Sequence, residues 1–220
     1  MPVLTYPTPL ASFFGGLRVQ SGDLRLTGAT QENATGGGEI IISTIGVRLW
    51  EADVTLVSED DPGGADAVLA ALQVPGRTFF ADARKRPYPF KDPTGSLLGA
   101  ASPVIASLPA GGRSLTLSGL PDGYVLSAGD FLSFTRGSPL RYEMHQIVTG
   151  AVASVGGVVP EFEVVPAIRP GVIVGAAVVL SRPFFRAMLV PGSVKFSPYT
   201  PGPRQGASFT FRQTLAKASA

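Results

Sequence analysis

Glycine and proline interrupt this chain so often that long regular elements have little room to form. There are 27 glycines and 20 prolines among 220 residues, about a fifth of the chain against roughly 12% in average usage. Such a composition can mean disorder, but disorder requires low hydrophobicity, and 45% of these residues are hydrophobic. Short strands divided by Gly/Pro turns satisfy both numbers. The expected class is all-β with one short helix. Only 15% of residues are charged, against about 25% in an average soluble domain, so some apolar surface is expected to lie against a partner. That favours an oligomer.

Several functions are excluded by residue type. The chain has no cysteine and a single histidine, which rules out disulfides, thiolate metal sites, cysteine nucleophiles and paired-histidine zinc motifs. The sequence pI of 9.1 suggests a nucleic-acid binder. With one His and no Cys, however, almost nothing titrates between roughly pH 5 and 9, so a net charge of +2 moves the pI far. Met1-Pro2-Val3-Leu4-Thr5 has neither the basic nor the apolar region of a secretory signal. The longest apolar stretch, Gly171 to Leu180, is about half of what a membrane span needs. The expectation is a protein made in the cytoplasm, without cofactor, metal or membrane span.

Along the chain, Leu17–Gln20 and Asp23–Leu26 flank Ser21-Gly22 and read as a hairpin. Gly36-Gly37-Gly38 precedes a short strand at Glu39–Ser43. The clearest strand is Val47–Val57, with Trp50, Ala52, Val54 and Leu56 on one face. A helix is expected after Asp61 as its cap and Pro62 in its first turn, with Ala65, Val68, Leu69 and Leu72 forming the apolar stripe. Arg77–Ala81 reads as a strand, and Arg84–Pro89 as a basic, proline-stiffened loop. Between Leu97 and Leu115 the residues turn to Ala, Ser, Gly and Pro, which reads as a crossing between domains. A second strand-rich unit follows: a hairpin of Asp130–Thr135 with Leu140–Val148, then Glu161–Val165 and Ala176–Leu180, a small barrel or sandwich. Phe184–Val190, Ser193–Phe196 and Ser208–Arg212 are longer strands that match the first unit. The expected organisation is a discontinuous β-sandwich-like domain of residues 1–98 with 181–220, carrying an inserted small β-barrel or sandwich at 99–180.

No residue pattern specifies catalysis. His145 shares a strand face with Glu143 and Ile147, and Asp130 begins the neighbouring strand. Without a Gly-x-Ser-x-Gly elbow there is no nucleophile for such a pair, and an ordinary strand-surface histidine is expected. Glu161 and Glu163 are spaced for a glycosidase pair, but the same spacing suits a solvated strand face. Gly36-Gly37-Gly38 lacks the lysine and the strand-to-helix context of a phosphate loop. Tyr124, Phe131, Phe134, Tyr142 and Phe162, with Arg113, Arg136 and Arg141, have the makings of a single-strand nucleic-acid platform. Phe131 and Phe134 point to opposite faces, so core filling is the simpler reading.

Two stretches are similar to distal tail proteins of long-tailed phages and gene transfer agents. One runs from Trp50 to Pro87: an aromatic strand, an Ala-rich helix, Pro-Gly-Arg, Phe-Phe, Asp82 and Arg84. The other runs from Leu126-Ser127-Ala128-Gly129-Asp130-Phe131 through His145-Gln146-Ile147-Val148 to Val165-Pro166-Ala167-Ile168-Arg169-Pro170 and Pro183–Leu189. The resemblance implies a structural virion protein without catalytic residues: a homohexameric belt continuous with the tail tube, an inserted domain projecting outward, and contacts to the tail-tip hub and to receptor-binding or side-fibre proteins. Within such a ring, Arg84, Lys85 and Arg86 are expected to face Asp60 and Asp61 of the neighbour, setting register more than affinity. Two alternatives stay open: a carbohydrate-binding or glycan-degrading tail-tip module, and a single-strand nucleic-acid-binding barrel.

Overall fold

The strand that alternates most cleanly in sequence organises the first sheet. A computed structural model describes residues 4–28, 30–44, 46–57, 63–196 and 206–215; Asp60, Asp61 and Pro62 lie outside these. The strands are β1 (Val19–Leu26), β2 (Thr30–Ala34), β3 (Ile40–Thr44), β4 (Trp50–Leu56), β5 (Phe79–Asp82), β6 (Val104–Ser107), β7 (Ser114–Ser118), β8 (Val125–Leu126), β9 (Phe131–Arg136), β10 (Arg141–Ile147), β11 (Ala151–Val152), β12 (Val159–Val165), β13 (Val178–Val179), β14 (Phe184–Leu189) and β15 (Ser208–Gln213), with helix α1 at Gly63–Leu72. The fold is all-β with this one short α-helix. β4 buries Trp50, Ala52, Val54 and Leu56 and sits between β1 and β15 in a five-stranded sheet of order β1-β4-β15-β14-β5. Leu69 and Leu72 of α1, together with Phe13 and Phe14 from the N-terminal 3-10 turns, join Phe79, Phe185, Phe209 and Phe211 in its core. On the other face Arg25 Nη2 and Arg212 Nε donate to Glu51 at 2.8 and 2.6 Å, and Thr210 Oγ1 donates to Asp53.

A second sheet, of order β13-β9-β10-β12-β7-β6, uses only strands between Val104 and Val179. Its ends meet. Ile105 N–H donates to Ala176 O at 3.0 Å, Gly175 N–H to Ile105 O at 2.8 Å and Val178 N–H to Pro103 O at 2.9 Å, so the sheet closes into a small barrel and hides its edges. Leu115, Leu117, Leu132, Phe134, Val159 and Phe162 fill it. Phe131, on the opposite face of β9 from Phe134, instead joins the core of the first sheet together with Met144.

Three expectations are corrected. Residues 17–26 do not form a hairpin: β1 runs unbroken beside β4 from Val19↔Leu56 to Leu26↔Trp50, with a bulge between Val19 and Ser21. A hairpin of such short limbs is marginal in water, whereas β4 offers a full ladder and an apolar face to Leu24 and Leu26. The crossing at 97–115 contains β6 and the start of β7, with Ile105 and Leu115 wholly buried. Its Ala/Ser composition conceals a strand that pairs with β7 on one side, from Val104↔Ser118 to Ser107↔Thr116, and meets Ala176 at the barrel's closure on the other. Ser193–Phe196 makes a single bridge, Lys195↔Ser208, because Ser193 is held by a turn, its Oγ donating to Val190 O at 2.7 Å.

Candidate functional site

The most exposed apolar element among the described residues is a β-ribbon. β2 and β3 pair only with each other, from Thr30↔Thr44 to Ala34↔Ile40. The ribbon continues the β1–β4 pair through Thr27 and Leu49, which are joined by a Thr27 N–H to Leu49 O bond of 2.8 Å. All of β2 is exposed, and Ile40, Ile41 and Ile42 are 61%, 53% and 65% exposed. Successive strand side chains alternate faces, so β3 presents isoleucine on both faces of this arm, while β2 is mostly polar. Next to it, β1 ends the five-stranded sheet with no strand on its outer side among the described residues. The opposite edge strand, β5, is partly covered by Thr8, which bonds Thr78 O and Phe80 N–H.

The basic loop is mostly committed within the chain. Arg84 Nε lies 3.2 Å from the buried Asp82 carboxylate, and Arg86 Nη1 lies 3.4 Å from the buried Asp130. Lys85 is exposed. Reversing Lys85 to Glu is therefore the informative charge test. If it faces a neighbour's acidic groups, sedimentation shows weaker association at low salt and none of that effect at high salt, on the order of 0–1 kcal/mol. An unchanged profile at low salt places the loop in solvent.

His145 is not on the surface. Its side chain is 0% exposed, stacked on Phe134 at 4.9 Å between centroids, and its Nδ1 is 2.7 Å from Pro166 O. A carbonyl only accepts, so Nδ1 carries the proton. The barrel's closure buries what alternation along β10 alone left facing outward. Beside His145 sits Glu143, also 0% exposed, paired with Arg136 Nε and with Arg169 Nη1 at 3.1 Å. Asp130 does not reach His145; it accepts Ser127 N–H at 2.8 Å and Phe90 N–H at 2.9 Å.

Burial pushes the Glu143 carboxyl up, but the His145 imidazole, Arg136 and Arg169 outweigh it and hold it at about 2 instead of 4.5. The imidazole Nε2 is 3.6 Å from Oε2, longer than a hydrogen bond, so the geometry gives the guanidinium groups the larger share. A carboxylate depressed in this way contributes stability above its unfolded value and loses it on acidification. Between pH about 4.5 and about 2, stability should fall by on the order of 3 kcal/mol from this group. Urea melts across that range check it, and a flat profile would refute the assignment.

Two parts of the second stretch that carries the resemblance lie around this cluster. Gly129 has φ +87°, and a Cβ there would lie 3.0 Å from Arg86 Nη1, so the Gly-Asp turn seats the 86–90 loop on the barrel. In the Pro-x-Ile-Arg-Pro segment, Pro166 O meets His145, Ile168 N–H donates to Gly112 O at 2.6 Å, and Pro170 O accepts from Arg136 at 3.3 Å. No known family model matches the chain, and no curated protein matches it. The seam's geometry and the arm therefore stand by themselves.

The other candidates are placed as follows. Glu161 and Glu163 are exposed on β12 in a shallow groove with Arg113, Ser114 and Thr149; Ser114 Oγ donates to Glu161, and Thr149 Oγ1 accepts Glu163 N–H. Tyr124, Phe131, Phe134 and Phe162 are buried in the two cores, and the half-buried Tyr142 packs on Phe80 at 4.8 Å. No helix among the described residues is long and apolar enough to cross a membrane. Glu143, Arg169 and the isoleucine arm escaped sequence reasoning; the one signal was Glu143 and His145 alternating on a strand face.

Proposed function

We propose that this protein is a structural virion component that assembles into a ring, a hexamer by resemblance, at the distal end of a phage tail, joining the tail tube to the tail-tip hub. The observation that carries this reading is the β2–β3 arm with its three exposed isoleucines next to the open edge of β1. A two-stranded ribbon is marginal in water, and an open edge beside an apolar strand invites pairing with another chain. In a ring each copy meets the next through two different patches, and closure stops growth. Burying a large aliphatic side chain is worth about 1.5–3 kcal/mol, so three per contact supply a useful share of the association energy. The resemblance of Trp50–Pro87 and Leu126–Leu189 to distal tail proteins supplies the place in the virion.

Electron microscopy and sedimentation of the purified chain test this. Rings are expected for the wild type. Ile40→Asp with Ile42→Asp should leave a folded monomer with an unchanged circular dichroism spectrum, because the arm lies outside both cores. A wild type that stays monomeric at micromolar concentration at both low and high salt would overturn the reading.

A further inference from the structure

The barrel grips the arm at its root. On the returning limb three consecutive residues are held. Arg48 O accepts from Arg169 Nη2 at 2.9 Å. Leu49 N–H donates to Thr27 Oγ1 at 3.0 Å. Trp50 donates its backbone N–H to Gln213 Oε1 at 3.3 Å and its indole Nε1–H to Met144 O at 2.7 Å. On the barrel side three consecutive residues of β10 answer them. Tyr142 O accepts from Gln213 Nε2 at 3.3 Å, Glu143 holds Arg169 at 3.1 Å, and Met144 O takes the indole. Phe131 of β9 packs edge-on against Trp50 at 5.5 Å.

We infer that this junction is a brace: the barrel fixes the direction in which the arm points. The link between the β1–β4 ladder and the ribbon runs through Thr27 and Leu49, a narrow connection about which a two-stranded ribbon can swing. Arg169 and Trp50 hold the residues on either side of Leu49 to a closed barrel, which converts that pivot into a rigid joint. Arg169 can do this because it is itself fixed: its side chain is 14% exposed and its guanidinium is tied to the wholly buried Glu143, while the neighbouring Pro166 and Pro170 carbonyls are engaged by His145 and Arg136. An arm held in one direction loses less freedom when it meets a partner, which raises affinity without any new contact. The brace holds whatever that partner is.

The absence of native cysteine allows a direct measurement. Spin labels at Glu39→Cys, near the arm's tip, and Val155→Cys, 92% exposed on a barrel turn, report the arm–barrel distance by double electron–electron resonance, with labelled chain diluted in unlabelled chain to suppress contacts between copies. The parent pair should give one narrow distribution. Arg169→Met, which removes both polar grips and keeps the chain's length, and Trp50→Phe, which removes only the indole donor, should each widen it about twofold while circular dichroism stays unchanged. If Arg169→Met does not fold, Trp50→Phe decides alone. A parent distribution as broad as the variants', or a folded variant that keeps the parent's width, overturns the brace.

Discussion

Glu143→Gln should lower the unfolding free energy by about 3–5 kcal/mol, the cost of breaking a buried ion pair from one side. Glu143 is 0% exposed and lies against both Arg136 and Arg169. A neutral amide keeps an oxygen for Arg136 and Arg169 but leaves the two guanidinium groups without their counter-charge. The loss should be largest at neutral pH and shrink toward pH 2, where the wild-type carboxyl also becomes protonated. Urea denaturation followed by fluorescence reads this well, because the single tryptophan, Trp50, sits on the seam where β10 meets β4. A loss below about 1 kcal/mol would mean that the cluster is a solvated face and not a buried pair.

Phe211→Ala should cost a similar amount, about 3–5 kcal/mol, through cavity formation. Phe211 is 1% exposed, and its ring meets Phe14 at 5.2 Å, Phe79 at 5.6 Å and Phe185 at 6.1 Å. Those partners come from the N-terminal turn, β5 and β14, so one truncation loosens three segments, and edge-to-face pairs add about 0.5–1.5 kcal/mol each beyond area. Ile41→Ala on the arm is the contrasting control: Ile41 is 53% exposed, and its truncation should leave the monomer's melting midpoint within a degree or two. A Phe211→Ala protein that melts with the wild type would show that this aromatic cluster is loosely packed.

Local periodicity decided several features before any tertiary contact. Alternation alone put Trp50, Ala52, Val54 and Leu56 on one buried face, separated Phe131 from Phe134, and set Leu69 and Leu72 on one side of α1, because strand and helix periods are properties of neighbouring residues. The matching character of Phe184–Val190 and Ser208–Arg212 with the first unit was likewise visible, and in the structure β14 pairs with β5 and β15 with β4.

What depended on distant partners was hidden. Ser21-Gly22 suits a turn and equally a flat place in a strand, and only β4, about 30 residues further on, decides between them. The 97–115 segment shows its strand only once β6 lies between β7 and Ala176 of the closing barrel. Arg84 and Arg86 read as part of a basic loop facing a neighbour's acidic groups, whereas within the chain they lie against Asp82 and Asp130. His145 and Glu143 looked solvent-facing because alternation gives a strand two faces without saying which is covered; closure of the barrel and Arg169 decided that. The isoleucines of β3 show the reverse case. Their sequence suits a buried strand, and only the tertiary structure, which surrounds them with no core, leaves them exposed.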